Sequence, residues 1–290
     1  MSSMLATTSE RRAVEAPSLD LRIVPINSLV PHEEHDHQRA EPLIGRVREA
    51  GTWLNPPIVA PLDATRYVIL DGANRHYALT HLGYDYILVQ VVDYESEQVH
   101  LTTWNHVVSG MSWFEFLRNI REIDHVQVES ADLLNARAAV ARRSVLAYTV
   151  LDDNRAYTLN SFDPSIGART ALLRQVVDTY KRSGVLNRIN TDVLSRARVD
   201  FPKAVAIVVF PHYQPAEILV AARDGLLLPP GISRHVIQGR AMRLHYPLDE
   251  FRANNETLAA KNEKLRVWMQ ERNAQKRVRF YAESTYVFDE

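Results

Sequence analysis

Apolar positions follow two rhythms along the 290 residues, and the changes between them divide the chain. The first nineteen residues, polar and rich in Ser, Thr and Arg, show neither rhythm, so a disordered leader is expected over 1–20. From Leu21 onward, short apolar runs alternate with helical spacing. Strands are predicted at 21–26, 58–60, 67–70 and 87–92, a helix within 41–50 closed by Gly51, and another from Asp71 to near Gly83. These elements make a compact α/β unit over 21–95.

Residues 96–125 hold Trp104, Trp113, Phe114, Phe116 and Leu117, and are expected to form a packed connector that contributes to a substrate pocket. A second α/β region is predicted over 126–250. It has a strand at 145–150 and a helix burying Leu172, Leu173, Val176, Val177 and Tyr180. The block 204–210 reads as a central strand covered on both faces. A helix at 215–223 stops at Asp224-Gly225, and an irregular, proline-punctuated segment follows. The last part, 251–290, is expected to be a helix and a strand. In that helix Phe251, Leu258 and Leu265 lie seven residues apart, which suits docking on its own domain or, alternatively, a dimer seam.

Composition narrows the classes. With 46% apolar and 24% charged residues the chain can bury a core, and 34 basic side chains against 35 acidic ones give no general attraction to nucleic acid or to an anionic membrane. Zero cysteines remove disulfides, thiolate metal sites and sulfur nucleophiles. No apolar run has the length of a membrane span, and the start MSSMLATTSERRAVEAP lacks the apolar core of a secretion signal, so a cytoplasmic protein is expected.

Four segments have candidate chemistry. In RYVILDGANRHYAL a strand ends, Asp71 and Gly72 turn the corner, and a helix begins at once. The first N–H groups of a helix lack internal partners and the macrodipole is positive there, so a phosphate fits. Gly72 allows close approach, Arg75 can reach back as a forked donor, and Asp71 can cap the helix or hold Mg²⁺. The plainer alternative is a capped helix with a surface arginine. The loop INSLVPHEEHDHQR crowds His32, Glu33, Glu34, His35, Asp36 and His37 without helical metal-ligand spacing, and suits a single carboxylate base or a solvated polar loop. In PPGISRHVI, Ser233, Arg234 and His235 follow a fixed bend that could grip a small carboxylate or form a surface turn. In TTWNH, Trp104 suits a core position or a ligand platform.

Together VPHE, LDGANRHYAL, a Trp about thirty residues on, and GISRHVI resemble the free-serine kinases of the ParB/sulfiredoxin-like fold, over roughly residues 22–250. That family includes archaeal ADP-dependent enzymes and a bacterial ATP-dependent member tied to siderophore biosynthesis. The resemblance implies a ParB/sulfiredoxin-like N-terminal domain, a second α/β domain, and an active site in the cleft between them. It implies Glu33 as catalytic base for the serine hydroxyl, with Asp71 assisting proton removal or organising Mg²⁺. It further implies phosphate binding by Gly72, Ala73, Asn74, Arg75 and His76, and serine binding by Trp104, Ser233, Arg234 and His235. The archaeal enzymes have two histidines where this chain has Ala73 and Asn74, and ATP is expected over ADP as donor. Sulfiredoxin chemistry needs a cysteine where Ala73 stands, which excludes it. The alternatives are a ParB-like, nucleotide-dependent DNA-binding regulator, or a member that does both; a DNA reader would lie in the moderately basic segment 169–198, whose helix is followed by a strand and lacks a clean second recognition helix.

Overall fold

The protein is described by a computed structural model covering residues 19–152 and 155–281. The expected leader, except for its last two residues, lies outside the described residues, as does 282–290, the end of the part expected to hold a helix and a strand; 277–281 form no strand.

The N-terminal half is built from β1 (Asp20–Pro25), β2 (Leu29–Pro31), α1 (His37–Ala50), β3 (Thr52–Trp53), β4 (Ile58–Pro61), β5 (Tyr67–Asp71), α2 (Ala73–His81) and β6 (Tyr86–Val91). Five strands form one mixed sheet in the order β1-β6-β4-β5-β2, with β2/β5 and β4/β6 parallel and β1/β6 and β4/β5 antiparallel. Val59, Ala60, Val68 and Ile69 are buried almost completely, as runs without strict alternation require. Helix α1 begins before the predicted 41–50 because its first turn is made of polar residue types that apolar spacing does not reveal.

The second half continues with β7 (Val99–Thr103), β8 (Asn105–Ser109), α3 (Trp113–Arg121), β9 (Val126–Ala131), α4 (Leu133–Ala141), β10 (Ala147–Asp152), β11 (Arg155–Ser161), α5 (Ile166–Ser183), β12 (Val185–Ile189), α6 (Leu194–Asp200), β13 (Ala206–Val209), α7 (Pro215–Arg223), β14 (Ser233–Ile237), β15 (Tyr246–Pro247) and α8 (Leu258–Ala274). Six of these strands make an antiparallel sheet, β12-β8-β13-β10-β11-β9. Strand β13 lies in its interior: Ala206 and Val208 face the core formed with α3 and α5, while Ile207 faces the core formed with α4 and α6. A fully buried Val or Ile side chain such as Val208 or Ile207 contributes roughly 1.5–3 kcal/mol. Ser112, Asp132 and Ser165 start α3, α4 and α5 by accepting from the amide three residues on.

Two local expectations are refined. The region taken as a connector holds an interior strand, β8, and the buried face of α3, although Trp113 and Phe114 are exposed. The proline-punctuated segment ends in a real strand, because β14 finds its partner in β7, more than a hundred residues earlier. As the sequence suggests, segment 169–198 is a helix followed by a strand, then a short helix, so no helix-turn-helix forms there; Leu172, Leu173, Val176, Val177 and Tyr180 are all spent in the core. Near its C-terminus the chain returns to the first sheet. Phe251 and Leu265 pack with Ile23, Leu79 and Leu88, and Asn262 hydrogen-bonds both the amide and the carbonyl of Ile23. The apolar stripe of α8 thus docks on the chain's own first sheet, the first of the two uses its spacing suits.

Candidate active site

Between the halves lies a cavity of about 850 Å³, within the range of small-molecule sites. One end is lined by Leu43, Val47, Trp53 and Leu54 together with Arg46, Arg243 and His245. The other holds Glu33, Asp36, Asp71 and Arg188, with Gly72, Ala73 and Asn74 opening α2 onto it. Arg243 and His245 adopt left-handed backbone conformations (φ 54° and 55°), which cost side-chain-bearing residues energy and cluster at functional sites.

The α2 corner follows from local chemistry. Strand β5 ends at Asp71, Gly72 turns with φ 106°, and the helix starts at Ala73 with no side-chain cap. A Cβ on Gly72 would lie 2.9 Å from both the Arg75 guanidinium and the Pro57 backbone, so glycine is required by conformation and by space. Arg75 folds back to donate to Asp71 Oδ2 at 2.7 Å and to the Asn55 carbonyl at 3.3 Å. Arg240 donates to the same Asp71 oxygen. Burial disfavours the Asp71 charge, but the two guanidiniums outweigh it and hold its carboxyl below the usual range. Asn74 turns away from the helix to accept from the Asp36 amide at 2.8 Å, tying the Glu33 loop to α2.

The Glu33 loop is clamped by residues distant in sequence. The His32 carbonyl and the Glu34 amide pair with Leu228, each at 2.9 Å. Glu33 Oε2 accepts from the Ser233 hydroxyl at 2.8 Å and from the Gly231 amide at 3.3 Å. Ser233 Oγ also lies 2.7 Å from His32 Nε2, while His32 Nδ1 is 2.7 Å from the Ile69 carbonyl. A carbonyl only accepts, so Nδ1 has the proton and Nε2 is an acceptor; burial, opposed by the Glu33 charge, pushes the His32 pKa down and favours this neutral form. One hydroxyl hydrogen therefore stands between two acceptors. On the far side, the Gly231 carbonyl lies 3.2 Å from the buried His106, whose other nitrogen is 2.8 Å from the Tyr180 hydroxyl. Glu34, adjacent to Glu33, instead meets Arg174 of α5 at 3.5 Å.

The structure gathers Glu33, Asp71, Gly72, Ala73, Asn74 and Arg75 around one cavity, with Ser233 touching Glu33. His76 is not brought there: its ring lies 3.2 Å from the Ile26 carbonyl. Along β14, Ser233 and His235 share one face and Arg234 has the other. Arg234 stacks on Trp104 at 4.1 Å, and neither residue lines the cavity. The His235 ring meets the Tyr94 hydroxyl at 2.7 Å, and burial pushes its pKa down to about 3. Arg188, Arg240 and His32 were missed as site residues. The Arg188 and Arg240 contacts join distant segments with no local signature, whereas His32 had a signal, its place directly before Glu33.

Among the described residues no three His, Asp or Glu side chains cluster to hold a metal. Asp71, the residue expected to organise Mg²⁺, has two arginines on Oδ2, leaving Oδ1 outside those contacts. This donor set fits an ion that arrives on phosphate oxygens and keeps its waters, not a resident cation.

No family model matches the chain. It is 24% identical over 254 residues to the ATP-dependent L-serine kinase SbnI of Staphylococcus aureus, covering 86% of this chain and 89% of that one. It is 21% identical over 243 residues to the ADP-dependent L-serine kinase SerK of Thermococcus kodakarensis, covering 82% and 95%. A free serine kinase variant solved in complex with ADP shares the fold, with a TM-score of 0.68, 18% identity, and coverage of 81% of this chain and 95% of that one.

Proposed function

We propose that this protein transfers the terminal phosphoryl group of a nucleotide to the hydroxyl of free L-serine, giving O-phospho-L-serine. The observation that supports this most is the placement of Glu33. Its carboxylate is held by one hydroxyl and one amide at the wall of a cavity into which a helix N-terminus also opens. The amides that begin α2, with Arg75 behind them, suit the phosphates. Mg²⁺ enters as part of the nucleotide substrate and neutralises the phosphate oxygens. Glu33 accepts the serine hydroxyl proton as the oxygen attacks the terminal phosphorus. The bond from that phosphorus to the bridging oxygen breaks, and the shortened nucleotide leaves with the electron pair. Ser233 fixes the orientation of Glu33. When Glu33 is protonated, the Ser233 hydroxyl can turn its hydrogen to His32 Nε2 and accept from Glu33, so the proton has a place without a buried hydrogen-bonding group being lost.

Phosphorus NMR of the purified protein with L-serine, Mg²⁺ and either ATP or ADP tests the reading. A phosphoserine resonance is expected, growing faster with ATP; none with either nucleotide refutes it, and faster growth with ADP reverses the donor assignment. A serine peptide blocked at both ends should be phosphorylated far more slowly than free serine.

A further inference from the structure

Arg188 belongs to none of the motifs above. It lies on β12, opposite His106 of β8, and its side chain crosses from the second sheet into the cavity. The guanidinium packs on Gly231: a Cβ there would lie 2.1 Å from Nε and 2.4 Å from Cζ, and Gly231 has φ +80°. The bend therefore needs glycine both for its backbone and to admit Arg188. The Gly231 amide donates to Glu33, so the guanidinium stands beside the group that fixes the proposed base. Glu33, Asp36 and Asp71 favour its charge, against burial and the neighbouring Arg39, yet none comes close enough for an ion pair. Among the described residues no acceptor receives a hydrogen bond from it. A half-buried guanidinium with unused donors facing a cavity is a site for an anion.

Two anions meet at Glu33 in the proposed reaction, the terminal phosphoryl group and the serine carboxylate. The phosphoryl group already has the amides of α2. The carboxylate is three bonds from the reacting hydroxyl oxygen, and Arg188 is the half-buried guanidinium set against the Gly231 amide that holds Glu33. Of the others, Arg39, Arg46 and Arg243 line the cavity as exposed residues, Arg75 is paired with Asp71, and Arg234 is stacked on Trp104 outside the lining. We infer that Arg188 binds the carboxylate of the amino-acid substrate and so makes the site specific for a free amino acid, an inference that rests on the serine-kinase reading.

The test compares L-serine with L-serinamide, which keeps the hydroxyl and ammonium but lacks the carboxylate, in the wild type, Arg188→Met and Arg188→Lys. Thermal unfolding and nucleotide affinity are measured on each. Arg188→Met should raise KM for L-serine about 10- to 100-fold, leave KM for L-serinamide unchanged, and leave kcat for both near wild type. Arg188→Lys keeps the charge but loses the fork, so its effect should be smaller and again confined to L-serine; it serves if the Met variant does not fold. Equal loss of kcat on both substrates would place Arg188 on the phosphoryl group and overturn the inference, as would undiminished discrimination by the variants. If the wild type forms no phosphoserine with ATP or ADP, the serine-kinase reading falls and this inference with it; an active wild type with indifferent variants sinks only the inference.

Discussion

Asp71 and Glu33 line the same cavity but occupy opposite electrostatic situations. Asp71 is bound by two guanidiniums on one oxygen, so its charge is neutralised inside the protein and its carboxyl is held low. Glu33 has only neutral donors, a hydroxyl and an amide, with His32 behind the hydroxyl. A carboxylate hydrogen-bonded to two guanidiniums is a poor proton acceptor, whereas one bonded only to neutral groups, even with Arg188 nearby, can take a proton without breaking an ion pair. Under the proposed function, the contrast favours Glu33 for proton transfer and Asp71 for shaping the phosphate corner.

The strongest way to break that division is Glu33→Gln, which keeps shape and hydrogen bonding but cannot take a proton. It should lower kcat about 10²- to 10⁴-fold, with the Kd values for serine and nucleotide changed little. Retained turnover would move the base elsewhere. Asp71→Asn should act on binding and stability instead, because it uncovers Arg75 and Arg240 beside the helix N-terminus. Without Mg²⁺, ADP should bind about fivefold more tightly, in line with roughly 1 kcal/mol for a part-exposed ion pair. The same loss should lower Tm by about 2–4 °C. A tenfold weaker Kd would instead mean that Asp71 itself helps to hold the nucleotide.

A smaller effect tests the clamp behind Glu33. Burial pushes the His106 pKa down to about 3, from an unfolded value near 6.5. A depressed histidine favours the folded state fully above the unfolded value, and that stability is lost as pH falls from about 6.5 towards 3. The loss approaches about 1.4 kcal/mol per pH unit for this one group. Urea unfolding at about pH 6, 5 and 4 should show a shallower pH slope in His106→Gln than in the wild type. An identical slope would mean that His106 is not neutral in the fold. The smallest expected change is in Glu34→Gln: its part-exposed contact with Arg174 is worth under about 0.5 kcal/mol, and turnover should stay within roughly twofold. Loss of activity there, with Glu33→Gln silent, would shift the base by one residue.

What could be read directly from the chain was what depends on neighbours in sequence. The strand-corner-helix at Asp71–Ala73 is set by a short apolar run, a glycine at φ 106°, and helix-forming residues after it. The double-sided burial of β13 follows from its unbroken apolar run, and the inward face of α5 from helical spacing. Even the position of Glu33 was marked by its loop. Its environment was not, since Ser233 lies 200 residues away and reaches it only because β14 pairs with β7 beside the first sheet. Arg188 and Arg240 belong to the same class, and so does the withdrawal of Arg234 onto Trp104. Residue type and spacing determine local backbone and which faces seek burial. Strand order and register determine which distant side chains share a cavity, and therefore which charges are neutralised and which remain open to a substrate.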